Sequence, residues 1–199
     1  MNLIDRIKQI LISPKTEWMA IDNDNENHIA VLTKHVLLLA IIPAVTAFIG
    51  YGIIGYSVFG FHIASYSHGI KQAIIQYVTM VGGVYAIALI LHFLANTFGT
   101  QKNFDKAFSL AAYACTPAFL AGVFHIHHSI SFLAGLVSVY SFFLLFMGIK
   151  PMMKTPDNKR VPYFIVTLAV LAGVATTIVL TFVLGAFIFG STRGFYRFF

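Results

Sequence analysis

The chain has 199 residues, of which 58% are hydrophobic and only 10% are charged. Soluble domains carry about 25% charged residues, so this composition excludes an ordinary soluble globular protein. The formal net charge of +6 lies in short loops beside apolar stretches, where it indicates topology and lipid contact. We therefore expect the lipid bilayer as a partner and no nucleic acid.

Residues 1–34 form the one sizeable polar region, and we expect them to be a cytoplasmic amphipathic N-terminal segment. Leu3, Ile7 and Ile10 share one helical face, which predicts a short helix in the plane of the lipid headgroups. Ser13 and Pro14 then suit the start of a second short helix. That helix would carry Trp18, a residue that favours membrane interfaces. Residues 22–28 are predicted to form a solvated linker.

Five apolar stretches follow, each long enough to cross a bilayer. They predict an all-α, polytopic membrane protein, a five-helix transmembrane bundle over residues 35–190 preceded by short amphipathic N-terminal helices. Pro117 lies inside the third stretch and predicts a kink there. Residues 191–199 would be a short outer tail. The predicted spans are 35–59, 73–98, 107–124, 130–149 and 161–189.

The distribution of lysine and arginine predicts an orientation. The N-terminal segment and the second and fourth loops together hold ten of the 13 basic residues, and the remaining loops and the tail hold three. Basic residues are retained in the cytoplasm. We therefore expect a multi-pass protein of the inner (plasma) membrane, with a cytoplasmic N-terminus and a periplasmic or extracellular C-terminus.

Small residues recur at helical spacing within the spans. Ala169, Gly173 and Thr177 lie four residues apart in the fifth span, Gly135 lies in the fourth, and Gly82 lies in the second. Small residues permit close backbone contact between membrane helices, so these faces are predicted to point into the bundle.

Five histidines fall on the outer side in this topology. Neutral imidazoles are good ligands for transition metals, so the histidines form a candidate site for zinc or another divalent transition metal. The alternative is that they are interfacial polar rings with no ligand. The five are His62, His68, His125, His127 and His128.

A second candidate site lies within the bundle. His92 and Asn96 are one turn apart near the inner end of the second span, with Tyr85 on the same face. Together with Thr116 they would line a polar cavity or proton path. The alternative is a hydrogen-bonded cluster that holds helices together.

Two short stretches carry a resemblance to a known family. They are residues 12–18, which read Ile-Ser-Pro-Lys-Thr-Glu-Trp, and residues 111–117, which read Ala-Ala-Tyr-Ala-Cys-Thr-Pro. With the five closely spaced spans, they make the chain resemble the bacterial branch of the Yip (Ypt-interacting protein) family. The resemblance implies a polytopic domain with a cytoplasmic N-terminus. Eukaryotic relatives bind Rab-type GTPases, but this chain lacks their Asp-Leu-Tyr-Gly-Pro motif.

The spans carry no acidic or basic residue in their cores, and no catalytic motif is present. We therefore expect a non-enzymatic membrane scaffold or adaptor with no obligatory cofactor, acting with a second copy or another membrane protein. The alternative is a small permease or channel for a metal ion or small solute that uses the outer histidines. An intramembrane enzyme ranks below both.

Overall fold

A computed structural model describes the backbone of residues 2–58 and 61–195, and the side chains within these ranges except those of residues 56–63, 128, 178 and 180–195. The fold is all-helical, as predicted, apart from a short antiparallel hairpin after the first span. The helices are α1 (Leu3–Ile12), α2 (Pro14–Asp24), α3 (His28–Val31), α4 (Leu37–Phe48), α5 (Tyr66–Leu94), α6 (Phe104–Ala114), α7 (Thr116–Ala121), α8 (Phe132–Met153) and α9 (Asp157–Phe195). The hairpin strands are β1 (Tyr56–Val58) and β2 (Phe61–Ile63).

Within the described residues, five helical stretches are long and apolar enough to cross a membrane. They are His28–Ile54, Tyr66–Leu94, Phe104–Ile126, Phe132–Met153 and Asp157–Thr177. The first comprises α3, α4 and two π-helical turns, Leu32–Val36 and Ile49–Ile54, and it begins within the predicted linker. Helix α9 continues to Phe195, into the predicted tail.

The third span is interrupted at the predicted place. Helix α6 ends at Ala114 and α7 begins at Thr116, with Pro117 in its first turn. Proline has no N–H to donate and its ring crowds the preceding turn, which favours an interruption of the helix at this point, although α4 continues through Pro43. Short 3-10 turns, Gly122–Ile126 and His128–Ile130, then lead to α8.

Glycines allow the first span to lie close to the second and third spans. A Cβ atom on Gly69 of α5 would stand 2.6 Å from the Cα of Gly52. A Cβ on Gly122 would overlap Pro43 of α4, and the Thr46 hydroxyl donates to the Gly122 carbonyl at 2.7 Å. This close packing fixes the core of the bundle.

The small-residue faces are only partly as predicted. Ala134 is buried, but a Cβ on Gly82, Gly135 or Gly173 would meet nothing within 4 Å. These glycines therefore mediate no packing against the side chains that the structure describes. Helix α9 contacts α5 and α8 through residues near its start. One of them is Tyr163, whose hydroxyl donates to the Leu91 carbonyl. Ala169, Gly173 and Thr177 lie beyond that contact and are exposed.

The N-terminal helices lie against the bundle. Trp18 is only 1% exposed, so it is a core residue of the protein and not the interfacial anchor that its type suggested. The glycine at position 148 of α8 makes the room for it, because a Cβ there would stand 2.7 Å from the indole Cε2 and 2.5 Å from Leu110 Cδ1. The Tyr140 hydroxyl also donates to the Leu11 carbonyl at 2.9 Å.

The contact between Trp18 and Gly148 can be tested by adding one methyl group. Gly148→Ala should lower the free energy of unfolding by about 1–3 kcal/mol, since the methyl group overpacks a filled site. Gly82→Ala is the matched control, because the same methyl meets open space within a helix, and alanine should be neutral or slightly stabilising. Thermal unfolding in detergent, followed by Trp18 fluorescence, would measure both; equal losses would contradict the packing.

Candidate functional site

One end of the bundle, which we call the N-terminal face, is formed by α1, α2 and the two loops at residues 95–103 and 154–156. The Gln101 amide donates to the Met153 carbonyl at 2.9 Å, which joins the two loops. The N-terminal segment and the second and fourth loops therefore share one end of the molecule, and most of the basic residues lie there.

A buried ion pair holds α1 against α2. Arg6 lies one turn before Ile10 on the face of α1 that meets the protein, and its Nη1 contacts Glu17 Oε1 at 2.7 Å. Its Nη2 pairs with Asp24. Burial acts to lower the pKa of Arg6, but the hydrogen bond to Asp24 and the negative charges of Glu17 and Asp24 outweigh it and raise the pKa. The guanidinium is therefore held in its charged form.

An aromatic stack lies directly beneath this ion pair. The Arg6 guanidinium carbon lies 5.8 Å from the centre of the Tyr113 ring, and the His35 ring lies 4.5 Å from Tyr113. His35 Nε2 hydrogen-bonds to the Thr116 hydroxyl at 3.0 Å, while its Nδ1 is buried without a hydrogen-bond partner among the described residues. The stack joins the N-terminal segment to the first and third spans.

An open cavity of about 540 Å³ adjoins the stack. Arg6, His35 and Tyr113 line it, together with Asp24, Glu26 and Lys34. Its volume is within the range of small-molecule pockets. Groups of both charges and two aromatic rings in one cavity suit a polar ligand or a polar peptide segment better than an apolar one.

A second set of ion pairs anchors the end of α2. Lys106 Nζ contacts Asp22 Oδ1 at 2.8 Å and the Asp22 carbonyl at 2.5 Å, and Lys154 pairs with the other carboxylate oxygen. Burial acts to raise the pKa of Asp22, but the hydrogen bonds and charges of Lys106 and Lys154 outweigh it and lower the pKa. We call this group the Asp22 clamp.

The acidic stretch predicted to be a solvated linker is instead engaged in pairs. Asp22 binds Lys106 and Lys154, Asp24 binds Arg6, and Glu26 contacts Lys34 at 3.1 Å. The partners come from α1, from the first and third spans, and from the loop that follows the fourth span. Their separation along the chain explains why the sequence alone did not reveal the pairs.

The structure does not bring the predicted polar cavity together. Thr116 bonds to His35 of the first span. The Tyr85 ring packs at a tilt against Phe108, with 4.9 Å between ring centres, and the His92 ring packs edge-to-face against Phe104 at 5.7 Å. Asn96 is exposed at the end of α5. Thr116 is therefore part of the Arg6 and His35 site, and Tyr85 and His92 pack against aromatic rings.

The outer histidines lie at the opposite end of the bundle from the N-terminal face. The His68 ring lies 5.7 Å from Tyr51, and a Cβ on Gly50 would overlap the His125 carbonyl, so His68 and His125 both adjoin the π-helical end of the first span. His127 Nδ1 accepts from the Ser129 amide at 3.3 Å.

The side chains of His62 and His128 lie outside the described residues, so the five-histidine set is not seen as a whole. Among the described side chains, no three of His, Cys, Asp or Glu are grouped so as to hold a metal ion. Zinc or transition-metal binding stays a prediction.

Comparison with known proteins identifies the family. The model of the Yip1 domain matches residues 8–178. The chain belongs to the Yip1 domain family. It is 28% identical over 162 residues to "Inner membrane protein YohC" of Escherichia coli strain K12, a match that covers 79% of this chain and 83% of that protein. The protein of the same name from E. coli O6:H1 strain CFT073 matches equally well. No solved structure matches the chain significantly.

The match gives the two stretches that suggested the family a structural meaning within the Yip1 domain. Residues 12–18 contain the junction between α1 and α2 and both Glu17 and Trp18. Residues 111–117 contain Tyr113 and Thr116, both of which contact His35. Each stretch therefore supplies side chains to the same buried site.

Several residues of this site escaped sequence reasoning. The helical pattern that puts Leu3, Ile7 and Ile10 on one face puts Arg6 on the opposite, polar face, and His35 is only the first residue of a predicted span. The available signal was the unusual Asp and Glu content of residues 22–26, since carboxylates beside a membrane require cationic partners.

The Arg6 and Glu17 pair should be strongly coupled. Arg6→Met leaves the Glu17 carboxylate buried without its partner and should lower the free energy of unfolding by about 3–5 kcal/mol. Arg6→Met/Glu17→Gln removes both charges and should cost clearly less than the single change. Thermal unfolding and limited proteolysis of the N-terminal segment would measure this. Additive effects of the two substitutions would refute a buried pair.

The Asp22 clamp predicts a dependence on pH. A carboxyl group whose pKa is lowered in the folded state contributes stability above its unfolded value of 3.8, and loses it as the pH falls through the lower folded value. Asp22→Asn should destabilise the protein by about 1.5–3 kcal/mol at neutral pH, and the difference from wild type should vanish in strong acid.

Asp157→Asn is the control for the clamp. Asp157 pairs with Lys150 at 2.6 Å, but both side chains are largely exposed. Its loss should therefore change stability by about 0–1 kcal/mol. A pH-independent difference between wild type and Asp22→Asn would contradict the clamp.

Proposed function

We propose that this Yip1 domain protein is a non-enzymatic scaffold or adaptor of the inner membrane, and that its N-terminal face is the surface that recognises partners. The observation that carries the proposal is the rigid docking of α1 and α2. Arg6, Asp22 and Trp18 fix these helices to each other and to the third and fourth spans. Binding sites on rigid elements are more precise than those on free segments.

The N-terminal face is proposed to be cytoplasmic. The N-terminal segment and the second and fourth loops lie at this end, and they hold most of the lysine and arginine. Basic residues beside spans remain in the cytoplasm. The E. coli relatives are named inner membrane proteins, which supports the inner membrane as the location of this protein.

The packing of the third span supports a scaffold over the alternative, a small permease or channel. In its most apolar stretch, 72% of the residues are buried, and all residues from Ala107 to Ala114 lie in the protein core. A helix that lines a water-filled path would instead present polar or exposed side chains to that path.

Site-specific photo-crosslinking in cells would test the adaptor proposal. A crosslinking amino acid replaces Lys8, which is exposed on α1, or Tyr66, which is exposed near the opposite end. Position 8 should give an adduct of defined mass to one membrane protein or to a second copy, and position 66 should not. The adduct should disappear with Arg6→Met, because that substitution releases α1 from α2.

Flux measurements on the purified protein in liposomes would distinguish a scaffold from a permease or channel. A scaffold should give no flux of divalent metal ions above protein-free vesicles. Flux that is lost with His68→Ala/His125→Ala, together with identical adducts at both crosslinking positions, would overturn the scaffold in favour of the permease.

A further inference from the structure

A second cavity lies at the edge of the N-terminal face, outside the Arg6 and His35 site. It has a volume of about 520 Å³ and lies between α2, the end of α8 and the start of α9. Four cationic side chains line it, and Asp22 is its one carboxylate. The cations are Lys15, Lys150, Lys154 and Arg160.

These cations are incompletely neutralised. Asp22 is already shared between Lys106 and Lys154, and Lys15 has no ion-pair partner among the described residues. Lys150 pairs only with the exposed Asp157, in a contact that solvent screens and a ligand can replace. The cavity therefore retains positive charge that favours an anion.

Arg160 is held in a fixed orientation at this cavity. Its Nε and Nη2 donate to the Phe146 carbonyl at 3.0 and 2.8 Å, and the guanidinium carbon lies 4.1 Å from the centre of the Phe146 ring. These bonds do not use Nη1. A guanidinium fixed in this way is suited to bind phosphate oxygens.

A groove with a mostly apolar surface adjoins the cavity along α8. It has a volume of about 420 Å³ and shares Lys15 and Met147 with the cavity. Tyr140 and Phe143 of α8 line it, and they lie on one helical face with Met147. Residues 140–147 lie within the fourth helix that is long and apolar enough to cross a membrane. The other wall of the groove is formed by residues 12–16 at the junction of α1 and α2, so the groove lies between that junction and the apolar surface of α8.

We propose that the cavity and the groove together bind one anionic glycerophospholipid. The phosphate lies among Lys15, Lys150 and Arg160, and an acyl chain lies along Phe143 and Met147. Basic pockets at the ends of membrane helices are suited to anionic headgroups. The adjoining groove distinguishes a lipid from a soluble phosphate compound, which would have no use for it.

The chain carries its own reporter for this site. Trp18 is the one tryptophan in the sequence, and it lines the cavity. Brominated lipids quench tryptophan at short range. The wild-type protein is reconstituted in zwitterionic vesicles with equal mole fractions of brominated phosphatidylglycerol or brominated phosphatidylethanolamine. The anionic lipid should quench Trp18 more strongly, and equal quenching would overturn the proposal.

Charge-removing variants test whether the preference arises at the cavity. Lys15→Gln/Lys150→Gln leaves the Asp22 clamp and Arg160 intact, and should reduce the relative association constant of phosphatidylglycerol by about tenfold or more. Lys8→Gln/Lys102→Gln removes the same charge from exposed positions elsewhere on the N-terminal face and should retain the wild-type preference. An equal loss in both variants would show a diffuse charge effect and refute a site.

Two further measurements guard against misfolding and identify the source of the phosphate. Lys15→Glu disturbs no ion pair among the described residues and also lowers the charge by two units, so it should weaken the preference about as much as the double variant, with an unchanged melting temperature. The soluble headgroup glycerophosphoglycerol, in large excess, should leave the quenching unchanged. Recovery of Trp18 fluorescence would assign the cavity to a soluble phosphodiester and overturn the lipid assignment.

Discussion

The buried ion pair between Arg6 and Glu17 is the constraint on which the N-terminal face depends. A buried charge is costly unless it is paired, and these two charges meet only if the chain folds back between α1 and α2 at Ser13. Once α2 is fixed, Trp18 lies against Gly148 and Asp22 lies between Lys106 and Lys154. The polar N-terminal segment thereby forms a layer of the folded structure, packed against the membrane-spanning helices.

The third span joins this layer to the rest of the bundle. Its first helix is buried on all sides and rich in alanine, which lets neighbouring helices approach closely. Thr116 follows the break at Cys115, and its hydroxyl meets His35 of the first span. In this chain, Thr116 and Pro117 thus lie where the helix is interrupted, and Thr116 also forms a hydrogen-bonded link between two spans.

Charge is divided over the N-terminal face in a way that suits two roles. The carboxylates of α2 and the following linker lie near the centre and pair with Arg6, Lys34, Lys106 and Lys154. Basic residues without buried partners remain at the rim, beside the apolar surface of α8. The charges at the centre therefore largely neutralise one another, whereas the rim keeps an excess of positive charge, and these two surfaces are the ones proposed to bind partners and an anionic lipid.

The sequence by itself determined the all-helical class, the five spans and the interruption near Pro117, because hydropathy and the missing proline N–H act locally. It also indicated the family through two short stretches. Only the tertiary structure decided that Arg6 and Trp18 are buried, that Thr116 meets His35 rather than His92, and that Gly173 is open. These outcomes depend on which distant segments approach each other, and residue type and helical spacing do not encode that directly.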